Sequence, residues 1–310
     1  MNKTTYYNDE RRSVVMNIGL IDLGSNSIRL VIYHYNDDQL TKLFNLKHAA
    51  KSILYVKNNK MSIEGVEVIV STLKELIFVA KTYHLDYFRI FATASLRNID
   101  NSKETIAAIE SSIHHPIELL SDEEESSFGF EAVVKYETLP KEGLSIDIGG
   151  GSMEITYFVE GKLIHTTSIG IGSLNFYQQY VSNVLPNDAE QSLMRAHART
   201  LFSEIVWLEN KMIDHIIGIG GTSRAMVKMN KILDFEKGSA LSYNTISKIA
   251  RLSPMHAQDI IKGVPDRLIT LVPGAILIDE LMQYVHATTF TASKASLREG
   301  YLYLKILQEG

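Results

Sequence analysis

A strand-and-loop signature occurs twice in this chain. Residues 20–33 read LIDLGSNSIRLVIY, and residues 145–158 read SIDIGGGSMEITYF. Aligned, Asp22 meets Asp147, Gly24 meets Gly149 and Ser27 meets Ser152. Each copy is an apolar run ending in Asp, a tight loop of Gly, Ser and Asn, and a second run rich in β-branched residues. That pattern spells a β-hairpin with an acid and a phosphate-sized concavity at its tip. Two such tips predict a duplicated fold that grips a polyphosphate between its halves.

The segments around the tips repeat as well. After the first hairpin, Leu40–Leu46 reads as a third strand, and Glu64–His84 has apolar residues at helical spacing. Phe88–Ala92 is a short strand, Ser102–Ser112 a helix, Ile117–Leu120 a strand and Asp122–Tyr136 a helix with an acidic start. The second half restarts with strands at Leu144–Asp147, Met153–Val159 and Leu163–Ser168. A long helix is expected at Ala189–Lys211, a strand at Ile216–Ile219, and short helices at Thr245–Leu252 and Met255–Lys262. Leu277–Val285 reads as a helix, Ala292–Ser296 as a last strand and Leu297–Leu307 as a closing helix. This is an α/β chain whose 310 residues allow two cores. Pro140 and Gly143 mark the boundary. The expected division is a disordered extension at 1–16, a first domain at 17–137 and a second at 138–310, the C-terminal helix packing back on the first.

Composition narrows the chemistry. With no cysteine, disulfides, thiolate metal sites and thiol nucleophiles are excluded. A net charge of −5 argues against a general nucleic-acid binder, though local fields still permit a polyanionic substrate. The polar N-terminus has no apolar signal core, and Leu268–Met282 is interrupted by Pro273, Gly274 and Asp279. A cytoplasmic protein with no nucleic-acid or membrane partner is expected, as a homodimer.

Chemistry is expected at the loops. In the first tip, Ser25, Asn26 and Ser27 offer donors to an anion, and Arg29 follows, although such a loop also suits an ordinary turn. Three consecutive glycines in the second tip, Gly149–Gly151, cost conformational entropy that a plain turn seldom needs. Close approach of Gly150, Gly151 and Ser152 to phosphate explains them better. Asp147 and Glu154 bracket that loop and suit Mg²⁺ or another divalent cation. A third loop, Gly220–Ser223, meets a helix start, which fits a phosphate or a structural turn equally. In Ser121–Ser126 the acids suit a helix N-terminus, but Glu125 falls at the junction of the halves, where a carboxylate can activate water. Arg97 ends a strand and offers a phosphate fork, or is a surface residue; Arg267 and Arg298 have weaker local support.

The stretches IDLGSNSIRLVIY, ATASLRN, LLSDEEES, SIDIGGGSMEI, IGIGGTSRAM and SLREGYL together resemble the exopolyphosphatase/guanosine pentaphosphate phosphohydrolase (Ppx/GppA) family of the actin-like ATPase superfamily. The resemblance implies two actin-like (ribonuclease H-like) domains facing across a cleft, in the short form without an HD-type extension. It implies phosphate binding by Ser25, Asn26, Ser27, Arg97, Gly150, Gly151, Ser152, Gly221 and Thr222, a catalytic Glu125, and a metal site at Asp147 and Glu154. Asp122, Ser126 and Ser127 depart from the family pattern, and the added charge of Asp122 is expected to affect rate. Release of orthophosphate from inorganic polyphosphate is the leading expectation. Hydrolysis of guanosine pentaphosphate, a small ATP-dependent phosphotransferase and a non-catalytic sensor of polyphosphate or of guanosine penta- or tetraphosphate are the alternatives.

Overall fold

The computed structural model describes residues 15–37 and 39–308. The expected extension thus lies outside the described residues except for Val15 and Met16, which already belong to the first strand. In chain order the first part contains β1 (Val15–Leu23), β2 (Ile28–Asn36), β3 (Gln39–His48), the small hairpin β4 (Val56–Lys57) and β5 (Lys60–Met61), α1 (Ile63–Ala80), β6 (Tyr87–Ala92), α2 (Ala94–Arg97), α3 (Ser102–Ile113), β7 (Glu118–Leu119) and α4 (Asp122–Tyr136). The second contains β8 (Glu142–Ile148), β9 (Met153–Val159), β10 (Lys162–Ile169), α5 (Ser173–Tyr180), α6 (Asp188–Ser203), β11 (His215–Ile219), α7 (Gly220–Leu233), β12 (Ala240–Ser242), α8 (Tyr243–Ala250), α9 (Ala257–Gly263), α10 (Leu271–Tyr284), β13 (Thr289–Ala292) and α11 (Leu297–Tyr301).

The two sheets share one plan. The first runs β3-β2-β1-β6-β7 and the second β10-β9-β8-β11-β13-β12. In each, an antiparallel meander lies beside parallel strands reached by helical crossovers. These are two α/β lobes built on one plan. Side chains alternate across β1: Ile21 and Leu23 face the core under α1 and α3, while Ile18 and Leu20 face a second core that contains Leu297, Tyr301, Leu302 and Ile306. Both faces of the sheet are therefore covered, and the C-terminal helix packs on the first lobe. Burying Leu302 and Ile306 there contributes about 1.5–3 kcal/mol each.

Helix α4 joins the lobes. Its Phe128 enters the C-terminal core, whereas Phe130 and Val133 pack on Phe158, Ile217 and Ile219 of the second sheet. Ser121 caps this helix, and Glu124 returns the bond to the Ser121 N–H, so the acidic start is a complete capping box. Where α11 crosses α4, Gly300 allows contact of the backbones: a Cβ there would fall on the Phe128 carbonyl.

Several elements differ from the sequence reading. The second long helix stops at Ser203, because Val206–Leu208 turns into a 3-10 segment. Helix α10 starts at Leu271, six residues early; Pro273 falls in its first turn, where no intrahelical N–H is needed. The last strand is Thr289–Ala292 rather than 292–296, since its pairing with β11 ends at Ala292.

Candidate active site

The two tips face each other across the cleft. Gly24 N–H bonds to Ser27 O at 3.1 Å, and Gly149 N–H bonds to Ser152 O at 3.0 Å, so both hairpins close identically. A Cβ on Gly150 would lie 3.1 Å from Ser25 Cβ and 3.2 Å from Asn26 Cβ, which puts the tips in contact. Their outer carbonyls are tied away from the cleft. Ser25 O and Asn26 O accept from Ile53 and Lys51, while Gly149 O and Gly150 O accept from the first N–H groups of α5. The N–H groups of Ser25, Asn26 and Gly150 have no internal partner among the described residues, a geometry suited to anion oxygens.

Between the tips lies a cavity of about 130 Å³. Ser25, Asn26, Ser27, Glu125, Asp147, Gly150, Ser152, Glu154 and Gly221 line it. Arg97, Gly151 and Thr222, also expected at the phosphate, do not. Arg97 instead turns to the acidic helix start. Its Nη1 donates to Glu125 Oε2 at 3.0 Å and to Leu120 O at 2.7 Å, and its Nη2 pairs with Asp122. An arginine flanked by two carboxylates binds them in preference to solvent or cleft. Asp122, expected to perturb the neighbouring base, is engaged by the same guanidinium. Thr222 donates to Ile148 O at 3.0 Å and so fastens the third loop to the second tip. Gly151 packs against Ile53 and Ser25 and borders a separate pocket.

Arginines supply most of the cavity's positive charge. Arg29, Arg224, Arg267 and Arg298 all line the cavity. Arg298 pairs with Asp22 at 2.5 Å, and Arg267 lies against Gly221, where a Cβ would strike its guanidinium. Arg224 donates to Ala295 O at 3.2 Å. Only the position of Arg29, directly opposite Asp22, was readable from the repeat. The other three come from helices α7 and α11 and the turn Pro265–Arg267, far apart in sequence, and no local periodicity marks them.

Burial acts on both signs of charge here. It pushes Arg29 down to about 10, with Arg298 adding to the effect; Arg224 and Arg267 fall for the same reason. Burial lifts Glu125 to about 7 against the opposing charge of Arg97, with Asp147 and Asp22 adding to the rise. Asp147 is pushed up to about 6 by burial, opposed by Arg224. Glu154 rises well above the usual range through burial, then through Glu125 and Asp147. Three of the four cavity arginines, Arg29, Arg224 and Arg267, and the carboxyls of Glu125, Asp147 and Glu154 are thus disfavoured in their charged forms, a condition that a bound anion and a bound cation relieve together.

Asp147 and Glu154 are direct cross-strand partners on β8 and β9. Neither forms an ion pair among the described residues. Ser168 donates to Glu154 Oε1 at 3.1 Å and fixes it. Gly220 (φ +78°) gives Asp147 room, since a Cβ there would strike Oδ1. A buried and a half-buried carboxylate, neither ion-paired, fit a hard divalent cation. No set of three or more His, Asp or Glu is placed to hold a metal among the described residues, so water and phosphate oxygens would complete the shell.

Fold and cavity define a class: two-lobed α/β proteins whose paired glycine tips meet at one polar, arginine-lined cavity. The chain belongs to the Ppx/GppA phosphatase family, whose model matches residues 31–309. It is a phosphoanhydride hydrolase. Exopolyphosphatase 1 of Mycobacterium tuberculosis is 24% identical over 312 residues, covering 95% of this chain and 89% of that protein. Among solved structures, an Aquifex aeolicus Ppx/GppA family member aligns with a TM-score of 0.77 at 21% identity, covering 96% of this chain and 99% of that one. An exopolyphosphatase from Cytophaga hutchinsonii aligns with a TM-score of 0.83 at 20% identity, covering 93% and 96% respectively. No helix among the described residues is long and apolar enough to cross a membrane.

Proposed function

We propose that the protein is a divalent-cation-dependent exopolyphosphatase that releases terminal orthophosphate from inorganic polyphosphate. One observation carries this reading: Glu125 opens onto the same buried cavity as both tips and four guanidinium groups. In-line phosphoryl transfer needs positioning and charge neutralisation more than covalent chemistry. Ser25, Asn26, Ser27, Gly150, Ser152 and Gly221 cradle the phosphate oxygens in this scheme, and the four arginines neutralise them. Glu125, held by Arg97 at 3.0 Å, orients a water and takes its proton as the oxygen attacks the terminal phosphorus. The bond to the bridging oxygen then breaks, and the shortened chain leaves. Asp147 and Glu154 would hold Mg²⁺ or a similar ion, which supplies further neutralisation of phosphate charge when bound. Gly151 and Thr222 shape the loops, and Arg97 positions Glu125. A cytoplasmic homodimer, without nucleic-acid or membrane partners, is the setting we propose.

A second pocket favours a second reading. It holds about 370 Å³, borders Gly151, and is lined by Ile53, Val56, Asn98, Ile99, Asn175 and Gln178 among others. An uncharged, amide-bearing pocket next to a phosphate cavity suits a nucleoside, which favours guanosine pentaphosphate or tetraphosphate. Orthophosphate release from long polyphosphate, short polyphosphate, guanosine pentaphosphate and ATP, each with Mg²⁺, separates the readings. Release from the nucleotide alone overturns the first.

A further inference from the structure

The row of residues crossing the first sheet at its cleft edge continues past Arg29. Asp22 pairs with Arg29, and Arg29 pairs with Lys47, across β1, β2 and β3. Directly opposed residues on antiparallel strands put their side chains on one face, so Lys47 stands beside Arg29 on the cavity side. The equivalent row in the second sheet is Asp147, Glu154 and Ser168. There the outermost position is a hydroxyl already donated to Glu154. In the first lobe it is a cation at the rim, 22% exposed, on the edge strand.

Lys47 Nζ reaches across the cleft to Asp266 Oδ2 at 2.6 Å. Asp266 stands in the turn Pro265–Arg267, next to a cavity arginine. Among the described residues this is the only ion pair between residues 15–137 and residues 138–292. The Asp266 side chain is 57% exposed, and ion pairs of that kind are weak and screened by salt. An internal phosphate of a polyphosphate chain carries one negative charge spread over two non-bridging oxygens, and its neighbours along the chain add theirs, so the ammonium meets more negative charge there than at one exposed carboxylate.

We propose that Lys47 determines specificity for the length of the anionic substrate: it holds a phosphate lying outside the cavity, and Asp266 occupies it until that phosphate arrives. The proposal rests on the phosphohydrolase reading. It commits to a linear polyphosphate chain that leaves the cavity between β3 and the Pro265–Arg267 turn.

Lys47→Gln, Lys47→Arg and Asp266→Asn proteins, assayed on tripolyphosphate and on long-chain polyphosphate, test it. Lys47→Gln is expected to raise the ratio of the long-chain KM to the tripolyphosphate KM about tenfold, with kcat moved less and the salt dependence of long-chain KM flattened. Lys47→Arg retains the wild-type ratio, and Asp266→Asn lowers the long-chain KM. An unchanged ratio in Lys47→Gln overturns the proposal. So does an Asp266→Asn protein that loses what Lys47→Gln loses, because the pair is then only a brace. If the wild-type protein releases no orthophosphate from either chain, the phosphohydrolase reading fails. Calorimetric titration of the same proteins with long polyphosphate then decides on Lys47: equal affinity, or no binding by wild type, overturns its role, and about tenfold weaker binding by Lys47→Gln supports it.

Discussion

Arg298 Nη1 donates to Asp22 Oδ2 at 2.5 Å, tying the C-terminal helix to the first hairpin tip. Both side chains are largely buried. Burial alone would lower the Arg298 pKa, but Asp22, Tyr33 and Glu299 outweigh it and hold the guanidinium charged. The pair explains why the two tips, alike in sequence, differ in chemistry. Asp22 has its counter-charge built in, whereas Asp147 does not. Removing the arginine takes away the hydrogen-bonded counter-charge of this largely buried carboxylate and leaves only Arg29 opposite it. Arg298→Met is expected to destabilise the fold by ~3–5 kcal/mol, read as a lower midpoint in urea denaturation.

Glu125→Gln keeps the shape of the side chain and removes its capacity to take a proton. A loss of about 10²–10⁴ in kcat is expected while the circular dichroism spectrum and melting temperature hold. Wild-type turnover by this variant would remove Glu125 from the mechanism.

The pH profile has a defined sign. A base works ionised, and burial raises Glu125 to about 7, so kcat/KM is expected to fall as pH drops through about 7. Arg97 opposes that rise. Arg97→Gln should therefore move the acidic limb to higher pH, besides lowering the rate. An acidic limb that stays in place would show that Arg97 does not control this group.

The cation site proposed at Asp147 and Glu154 would link metal binding to stability. Their folded pKa values lie above the unfolded ones near 4. Above that value the folded state holds more protons than the unfolded, so their contribution to stability falls as pH rises. A divalent cation relieves the charged pair. Mg²⁺ at about a hundred times its Kd is expected to add ~2.7 kcal/mol, seen by calorimetry as a larger rise in Tm at pH 8 than at pH 5.5. The Asp147→Asn, Glu154→Gln double variant should show no Mg²⁺ response.

Gly300→Ala places a methyl group on the Phe128 carbonyl, where α11 and α4 cross. Neither backbone can shift without disturbing the Phe128–Tyr301 edge contact, whose ring centroids lie 5.6 Å apart. A destabilisation of ~1–3 kcal/mol is expected, measured by denaturant titration. A neutral result would mean that the helices separate freely at this point.

The chain's local grammar determined a good deal. The doubled hairpin, its closing turns and the meander-then-crossover order follow from strand alternation, glycine placement and helical spacing, all short-range signals. The opposite charges of Arg29 and Glu154, at equivalent positions opposite Asp22 and Asp147, are readable from alignment of the two copies alone. The tertiary structure decided where long side chains go. Arg97 ends on Asp122 and Glu125 rather than in the cavity between the tips. Arg224, Arg267 and Arg298 converge on the cavity from three separate elements, and Lys47 crosses the cleft to Asp266. A flexible arginine or lysine takes the nearest counter-charge, and that neighbour is set by chain packing over hundreds of residues rather than by the residues beside it in sequence.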